Sequence, residues 1–364
     1  MMKIFVKYVI KVTAFLLIFV IMLIHVVYLQ RNISYGRNNV GGLSREESID
    51  VICVGGSSTA VYWKPLLAWK EYGMTSYNYA TDSFREPLML GAIREIFAEQ
   101  NPRLLVLDVR SFTSGIGDLN DSENGIRNMT DSMDFNFNRL NTVKDVMDFY
   151  GVDSSSDLAL SYYFDVIKYH TNTEAFGSSD AWSHINNDCE ADYKGFYFET
   201  RAYNEILSEP EGIQTEERSA IESNSEEYLV ELLEYLNTKD VDVLFVMGPK
   251  IVDLETQKLS NYLGDIITSY GYNFINGNCY YEEMGLDFSK DFYNGGHLNA
   301  YGADKYTSFI ADFIKDYYNI EDHSRDKLYY EKWNECYNSF IIRDNEIKAI
   351  IDETYNANLA ALSE

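Results

Sequence analysis

The alternation of short apolar segments with helical segments places the strongest limit on the fold of this chain. Ile49–Val54 predicts a strand, Ser76–Thr81 predicts a second, weaker one, and Leu104–Val109 predicts a third. Between the second and the third, Pro87–Glu99 carries apolar residues at helical spacing. Strands that alternate with helices in this way are typical of a parallel sheet with helices on its faces.

The same alternation returns in the second half of the chain. Val241–Met247 predicts a fourth strand, with helices at Glu226–Leu236 before it and Thr256–Tyr270 after it. Tyr272–Ile275 predicts a fifth strand, and Ala300–Tyr318 predicts a final helix. We therefore expect an α/β fold, a three-layer sandwich around a five-stranded parallel sheet.

Two segments lie outside this pattern. The stretch 111–225 is too long for a loop and is expected to form a helical insertion. Within it, Asp157–His170 is expected to be helical, whereas Ser111–Asn138 is polar and is expected to be irregular. The tail Lys327–Glu364 predicts one or two helices packed outside the sheet. The chain is expected to divide into an N-terminal segment 1–37, a sheet domain with its insertion 38–330, and a helical tail 331–364.

The first of these regions has the composition of a membrane anchor. The largely apolar run Val12–Leu29 spans about 27 Å as a helix, close to the hydrocarbon thickness of a bilayer. A cleaved signal peptide would have a shorter apolar core and a small-residue cleavage site, and neither is present. Lysines precede the run and arginines follow it, which favours a cytoplasmic N-terminus. We expect a single-pass signal anchor in the cell membrane with the remaining chain extracytoplasmic; a buried core helix is the alternative.

The net charge limits the partners of the chain. It is −27 overall, and because the first 37 residues contribute +5, the remaining 327 carry −32. A domain this acidic repels nucleic acid and anionic lipid head groups, which excludes nucleic-acid binding. A neutral or cationic substrate is compatible with the charge, and so is plain solubility.

The cysteines and histidines show no spacing typical of a metal site. Cys53 lies inside the first predicted strand, and Cys189, Cys279 and Cys336 are widely separated. A His-Glu-x-x-His pair and a phosphate-binding loop are both absent from the sequence. We expect no metal, no nucleotide cofactor and no essential disulfide, while the pairing state of the last three cysteines stays open.

Two polar segments that follow apolar runs are candidates for chemistry. Gly55-Gly56-Ser57-Ser58-Thr59 follows the first strand at the start of a helix, where free N–H groups favour negative charge. Asp291–Gly302, with the sequence DFYNGGHLNAYG, precedes the final helix. Its histidine, His297, is the one histidine placed to face the end of the first strand as a base for a serine nucleophile. The alternatives are that the Gly-Ser turn merely caps a helix and that His297 is a surface loop histidine.

Together these two segments resemble the SGNH (GDSL-like) hydrolases. More narrowly, they resemble the membrane-anchored branch related to DltD of teichoic-acid D-alanylation and to AlgJ and AlgX of alginate O-acetylation. The resemblance covers residues 45–115 and 226–318 and implies a flavodoxin-like SGNH sheet with serine esterase or O-acyltransferase activity. It also implies a cell-surface glycan or teichoic-acid-like polymer as substrate, and a multi-spanning membrane O-acyltransferase as partner.

The resemblance assigns the catalytic roles to specific residues. The nucleophile falls on Ser58, with Ser57 as the alternative, and the base falls on His297. The family's aspartate, three positions before the histidine, falls on Asn294, for which Asp291 is a possible substitute. Because an amide cannot stabilise a cationic imidazole by its charge, a Ser–His dyad and a non-catalytic binding or scaffold subunit of an acylation assembly both stay open.

Two further positions depart from the family pattern. The resemblance implies that the backbone amides of Ser58 and Ala80 hold the oxyanion, with Ala80 in place of a glycine after the second strand. The segment Asp108-Val109-Arg110-Ser111-Phe112 stands where the family has Gly-x-Asn-Asp. Arg110 could there bind a carboxylate, a phosphate or the oxyanion, or pair with an acidic neighbour. The aromatic segment Tyr193–Phe198 of the insertion is expected either to line a glycan site or to pack in a core.

Overall fold

The computed structural model describes residues 2–31, 35–179, 181–182, 193–199 and 206–362. Five parallel strands form its central sheet: β1 Val51–Gly55, β2 Ser76–Ala80, β3 Leu104–Asp108, β4 Asp242–Met247 and β5 Asn273–Asn276. Their order is β2-β1-β3-β4-β5, which confirms the predicted α/β class and the five-stranded parallel sheet. A short antiparallel pair, β6 Phe292–Asn294 and β7 His297–Leu298, forms the segment before the last helix of the sheet domain.

The side chains of the strands alternate between two apolar layers, as the two-residue period of a strand requires. Ile52 and Val54 contribute to one layer, whereas Val51 and Cys53 contribute to the other. Helices cover both layers, so the sheet is the middle of three layers. Because β1 has β2 on one side and β3 on the other, the turn after β1 opens at the carboxyl edge between two neighbouring strands.

The helices around the sheet follow the predicted order, with their ends shifted by one to three residues. Asp253 and Asn299 cap two of them by accepting hydrogen bonds from backbone N–H groups of the first turn. The helices of the N-terminal segment and the sheet domain are α1 Met2–Gln30, α2 Tyr35–Gly42, α3 Ser57–Tyr62, α4 Pro65–Tyr72, α5 Met89–Glu99, α10 Ser223–Leu236, α11 Leu254–Ser269 and α12 Ala300–Tyr317.

The insertion between β3 and β4 is more helical than the sequence predicts. Its helices are α6 Glu123–Thr130, α7 Phe137–Phe149, α8 Asp157–Tyr163 and α9 Asp165–Tyr169. Helix α6 falls within Ser111–Asn138, so the prediction of irregular structure is wrong for Glu123–Thr130, whereas 114–122 and 131–136 contain no helix or strand. Two apolar residues one turn apart, Ile126 and Met129, are fully buried in the core and hold this otherwise polar helix in place. The predicted helix Asp157–His170 is two helices that meet at Phe164.

A buried ionic cluster joins the insertion to the end of α1. Arg31 and Arg139 both bind the carboxylate of Asp165, and the side chains of all three are less than 5% exposed. Arg139 also donates to the carbonyl oxygens of Thr130 at 2.8 Å and Tyr162 at 3.0 Å. Arg31, which directly follows α1, is therefore part of the folded domain.

The predicted tail is one helix, α13 Lys327–Leu362, packed outside the sheet as expected. Trp333 and Phe340 bury one side of it in the main core. The fully buried ammonium of Lys64 binds the carboxylate of Asp344 on this helix at 2.6 Å. Because an unpaired buried charge is costly, this contact fixes the position of α13.

One helix among the described residues, Phe5–Gln30, is long and apolar enough to cross a membrane. Cys53 and Cys279 are free thiols, Cys336 is half-buried, and Cys189 lies outside the described residues. Within the described ranges, no group of three or more His, Cys, Asp or Glu residues is arranged to hold a metal ion.

Candidate active site

The fold brings His297 to the start of helix α3, where its ring meets Ser57. The distance between His297 Nε2 and Ser57 Oγ is 2.8 Å, although the two residues are 240 positions apart. Ser57 is half-buried and lines a cavity of about 200 Å³. A serine hydroxyl hydrogen-bonded to an imidazole nitrogen beside open space is the arrangement of an activated nucleophile.

The adjacent Ser58 faces the interior instead. It is 3% exposed, and its hydroxyl donates to Asp108 Oδ2 at 2.5 Å. Successive residues of a helix point about 100° apart, so the two serines cannot both face His297. The expected pairing of Ser58 with His297 is therefore corrected: Ser57, the alternative that the sequence left open, makes that contact.

Asp108, at the end of β3, holds the turn that presents Ser57. Its Oδ1 accepts from the backbone N–H of Arg110 at 2.9 Å, and its Oδ2 accepts from Ser58 and lies 3.5 Å from Thr59 Oγ1. The carboxylate is 7% exposed, so these donors replace water around its charge. No sequence motif marks Asp108; the one signal in the sequence is a carboxylate that ends an apolar strand at the carboxyl edge of the sheet.

Asn294 is placed to orient the imidazole. Its Oδ1 lies 3.2 Å from His297 Nδ1 and accepts from the backbone N–H of Gly296 at 2.8 Å. Because Gly296 can only donate at that point, the amide oxygen, and not the amide nitrogen, faces the ring. The oxygen selects the tautomer with hydrogen on Nδ1, which leaves Nε2 free to accept the proton of Ser57. The amide thus supplies the orientation but not the charge of the family's aspartate.

Asp291 does not replace that aspartate. Its carboxylate accepts from the backbone N–H of Asp287 at 2.7 Å and from Lys305 Nζ at 2.6 Å, and the residue is 2% exposed. Burial raises the pKa of Asp291, although the two hydrogen bonds act in the opposite direction. Its carboxylate is held within its own loop and by Lys305, so the expectation that it substitutes for the missing charge is corrected.

Arg110 braces the loop that carries the histidine. Its guanidinium donates to the carbonyl of Gly296 at 2.8 Å and to the hydroxyl of Tyr62 at 3.0 Å. The ring of Tyr293 stacks on that of His297 with 5.4 Å between their centroids. Arg110 also lines the cavity. It therefore positions the histidine loop and also lies where the sequence predicted that it could bind a substrate.

The remaining wall of the cavity is polar. It includes Ser83, Phe84, Arg85, Ser111 and Ser114. Among the described residues, no hydrogen-bond partner lies near Arg85 Nε, Arg110 Nε or Ser111 Oγ, all of which are buried. Each of these buried groups carries the cost of an unmade hydrogen bond.

Ala80 does not reach the cavity, which corrects its expected role as an oxyanion donor. It pairs with Gly55 inside the sheet, is fully buried, and its carbonyl accepts from Asn39 at 3.1 Å. After Ala80, the first residue that lines the cavity is Ser83, three positions later. Ser57 and Ser58 lie in the first turn of α3, where backbone N–H groups have no partner within the helix, and both residues line the cavity.

Within the aromatic segment Tyr193–Phe198, Phe196 and Phe198 pack in the core, whereas Tyr197 is exposed. The rings of Phe196 and Phe198 lie 5.7 Å and 5.2 Å from that of Phe340 on α13. Neither ring lines the cavity. Core packing, and not a glycan-binding wall, is the role that this geometry gives to the two phenylalanines.

Glu86, beside the cavity residue Arg85, makes stability depend on pH. Burial raises the pKa of Glu86 to about 7 against the opposing effects of a backbone hydrogen bond and the charge of Arg85. The folded state binds the proton of Glu86 more tightly than the unfolded state does. The resulting contribution to stability is fully present below the pKa of Glu86 in the unfolded state, and it is lost as the pH rises through 7. Glu86→Gln is expected to stabilise the protein by about 1 kcal/mol at pH 5 and about 3 kcal/mol at pH 8.

Urea unfolding of the full chain at the two pH values measures this difference. The exposed Glu353→Gln is the matched control and is expected to change stability equally at both. A Glu86→Gln effect that does not grow with pH would contradict the burial of an ionised carboxylate at this position.

No protein-family model matches this chain, and no curated protein is significantly similar to it. The resemblance to the SGNH hydrolases thus depends on two short sequence segments. The geometry of Ser57 and His297 is the independent observation that bears on function.

Proposed function

We propose that this chain is a membrane-anchored, extracytoplasmic serine enzyme of ester chemistry, an SGNH-type esterase or O-acyltransferase. The observation that carries the proposal is the 2.8 Å contact between Ser57 Oγ and His297 Nε2 at the edge of the cavity. Ser57 attacks the acyl carbonyl carbon while His297 Nε2 takes the hydroxyl proton. The amides of Ser57 and Ser58 donate to the oxyanion that forms on the carbonyl oxygen.

Collapse of the tetrahedral intermediate breaks the ester bond and leaves the acyl group on Ser57. His297 gives its proton to the departing alkoxide, and its neutral ring then activates the next acceptor. If that acceptor is water, the enzyme is an esterase; if it is a sugar or polyol hydroxyl, the enzyme is an O-acyltransferase. Both outcomes use the same residues and the same cavity.

The resemblance to the anchored branch favours a cell-surface glycan or a teichoic-acid-like polymer as the acyl acceptor or donor. It also favours a multi-spanning membrane O-acyltransferase as the partner that supplies the acyl group. The long apolar helix Phe5–Gln30 supports a single-pass location in the cell membrane. The strongly acidic remainder of the chain supports a neutral or cationic substrate and is unsuited to nucleic acid.

A second candidate function is a non-catalytic binding or scaffold subunit of a cell-envelope acylation assembly. The observation in its favour is Asn294, since a neutral amide gives the protonated imidazole of the reaction no ionic stabilisation. The two functions differ in whether the natural chain turns over an ester.

Hydrolysis of 4-nitrophenyl acetate by the full chain in detergent distinguishes them. The enzyme is expected to hydrolyse the ester above background, and Asn294→Asp to raise kcat about 10-fold because a carboxylate favours the protonated imidazole. For the same reason the acidic limb of the pH–rate profile is expected to move to higher pH in this variant.

Asn237→Asp, which adds the same charge at an exposed position, is the control and is expected to leave both properties unchanged. Folded wild-type protein that hydrolyses no faster than background, together with an active Asn294→Asp variant, would instead favour the binding subunit.

A further inference from the structure

The end of the apolar helix α1 is embedded in the insertion. Leu29 is 2% exposed and forms a small apolar cluster with Ala175 and Ala181. The carbonyl of Gln30 accepts from Asn172 Nδ2 at 2.7 Å. Arg31 donates to Asp165 and to the carbonyl of Met133, as part of the buried ionic cluster. These contacts form a rigid connection between the apolar helix and the folded domain.

The length of the exposed part of α1 leaves no spacer between that connection and a bilayer. The side chains that can be assessed are exposed from Phe5 to Val26, and burial begins at Val27. At 1.5 Å per residue this stretch is about 33 Å long, close to the roughly 30 Å hydrocarbon thickness of a membrane. If the helix spans a bilayer, the protein surface around Val27 must therefore lie at the lipid head groups.

That surface carries large apolar side chains that are unusually exposed. Their exposed fractions are 44–85% for Phe135, Phe137, Phe164, Ile167, Phe176 and Trp182, which we call the aromatic rim. Several members are sequence neighbours of residues that hold the end of α1. Phe164 precedes Asp165, Phe176 follows Ala175, and Trp182 follows Ala181. At least three members of the rim therefore directly neighbour, along the chain, the residues that hold the end of the apolar helix.

We propose that the aromatic rim binds the lipid bilayer at its interface, so that the insertion rests on the membrane and the catalytic domain cannot swing freely. Aromatic side chains are favoured at the boundary between head groups and hydrocarbon. Because the domain carries −32 charges, apolar insertion and not attraction to anionic lipids must supply this contact. The inference rests on the membrane anchor of the proposed function but not on its serine chemistry.

A fixed connection has a consequence for the substrate. The cavity at Ser57 is held at one height and orientation relative to the bilayer, because the insertion that carries the rim packs in the same core as the sheet. The enzyme then acts on acyl groups presented at that height above the membrane, and not throughout the volume that a flexible tether would reach.

The chain contains its own probe of this contact. Of its four tryptophans, Trp182 is 47% exposed, whereas Trp63, Trp69 and Trp333 are at most 2% exposed. Full-length protein is reconstituted in phosphatidylcholine vesicles with bromine atoms near the head-group end of the acyl chains. Bromine quenches tryptophan on contact, so the wild-type emission is expected to be quenched relative to unbrominated vesicles. Trp182→Phe is expected to lose that quenching.

A second variant separates the rim from a local effect at the probe. Phe137→Ser with Phe176→Ser, which keeps Trp182, is expected to reduce the quenching. The matched control, Tyr317→Ser with Ile342→Ser, removes exposed apolar side chains outside the rim and is expected to leave it unchanged.

Resistance of the protein to alkaline extraction reports the anchor separately. The inference would be overturned if the protein is anchored but bromine quenches wild type and Trp182→Phe equally. It would also be overturned if the rim crosslinks to another protein while quenching by lipid is absent. Protein that alkali extracts would overturn the anchor and the inference together, whereas a failed esterase assay would leave both standing.

Discussion

Ser57→Ala is expected to lower kcat/KM for ester hydrolysis by about 10⁴-fold or more, while Ser58→Ala keeps it within about tenfold of wild type. The two serines are adjacent, but only Ser57 Oγ lies 2.8 Å from His297 Nε2. Ser58 donates instead to the buried carboxylate of Asp108. Loss of Ser57 removes the covalent step itself, whereas loss of Ser58 removes one of several donors to Asp108.

The comparison is made on full-length proteins in the same detergent, with initial rates of 4-nitrophenyl ester hydrolysis as the measurement. Ser58→Ala also leaves a buried carboxylate with one donor fewer, so it is expected to cost about 1–3 kcal/mol of stability and must be assayed well below its unfolding temperature. A near-inactive Ser58→Ala beside an active Ser57→Ala would reverse the assignment of the nucleophile.

Arg139→Met is expected to destabilise the protein by about 3–5 kcal/mol, because it breaks a buried ionic cluster by removing one partner. The side chain of Arg139 has no exposed surface, and it binds Asp165 together with the carbonyls of Thr130 and Tyr162. Methionine fills much of the space but donates no hydrogen bond. These carbonyl groups are then left buried without their donor, and Asp165 keeps only Arg31 of its two arginines.

Urea unfolding of the full chain in detergent measures the change in free energy of unfolding. Hydrogen exchange is expected to show that the loss of protection is concentrated in the insertion helices α6–α9. Arg343→Met is the matched control, since Arg343 is 41% exposed and pairs with Glu346 on the surface of α13. That control is expected to cost less than about 0.5 kcal/mol. An Arg139→Met effect of the same small size would contradict the structural role of the cluster.

The sheet could be predicted from the sequence because β1, β3 and β4 are short apolar runs bounded by polar or turn-forming residues. Strand β1 has two buried side chains on each face: Ile52 and Val54 on one, Val51 and Cys53 on the other. Such burial on both faces is typical of an interior strand in a sheet that is covered on both sides. The insertion was harder to predict, because helix α6 is stabilised by tertiary contacts of two residues and not by a long apolar pattern.

The candidate site could be predicted only in outline. The sequence places a serine turn and a histidine loop at the same sheet edge, but the choice between Ser57 and Ser58 depends on the rotation of a six-residue helix. That rotation is set by the contact of Ser58 with Asp108, which lies 50 residues away. The role of Asn294 likewise depends on the N–H of Gly296, whose direction no sequence pattern specifies.

Mass-spectrometric mapping of a fluorophosphonate adduct on the full-length protein tests the central claim most directly. The reagent reacts with activated serines, so the adduct is expected on Ser57, to be absent in Ser57→Ala, and to form more slowly in His297→Ala. An adduct on Ser58, or no adduct on folded wild-type protein, would contradict a nucleophile formed by Ser57 and His297.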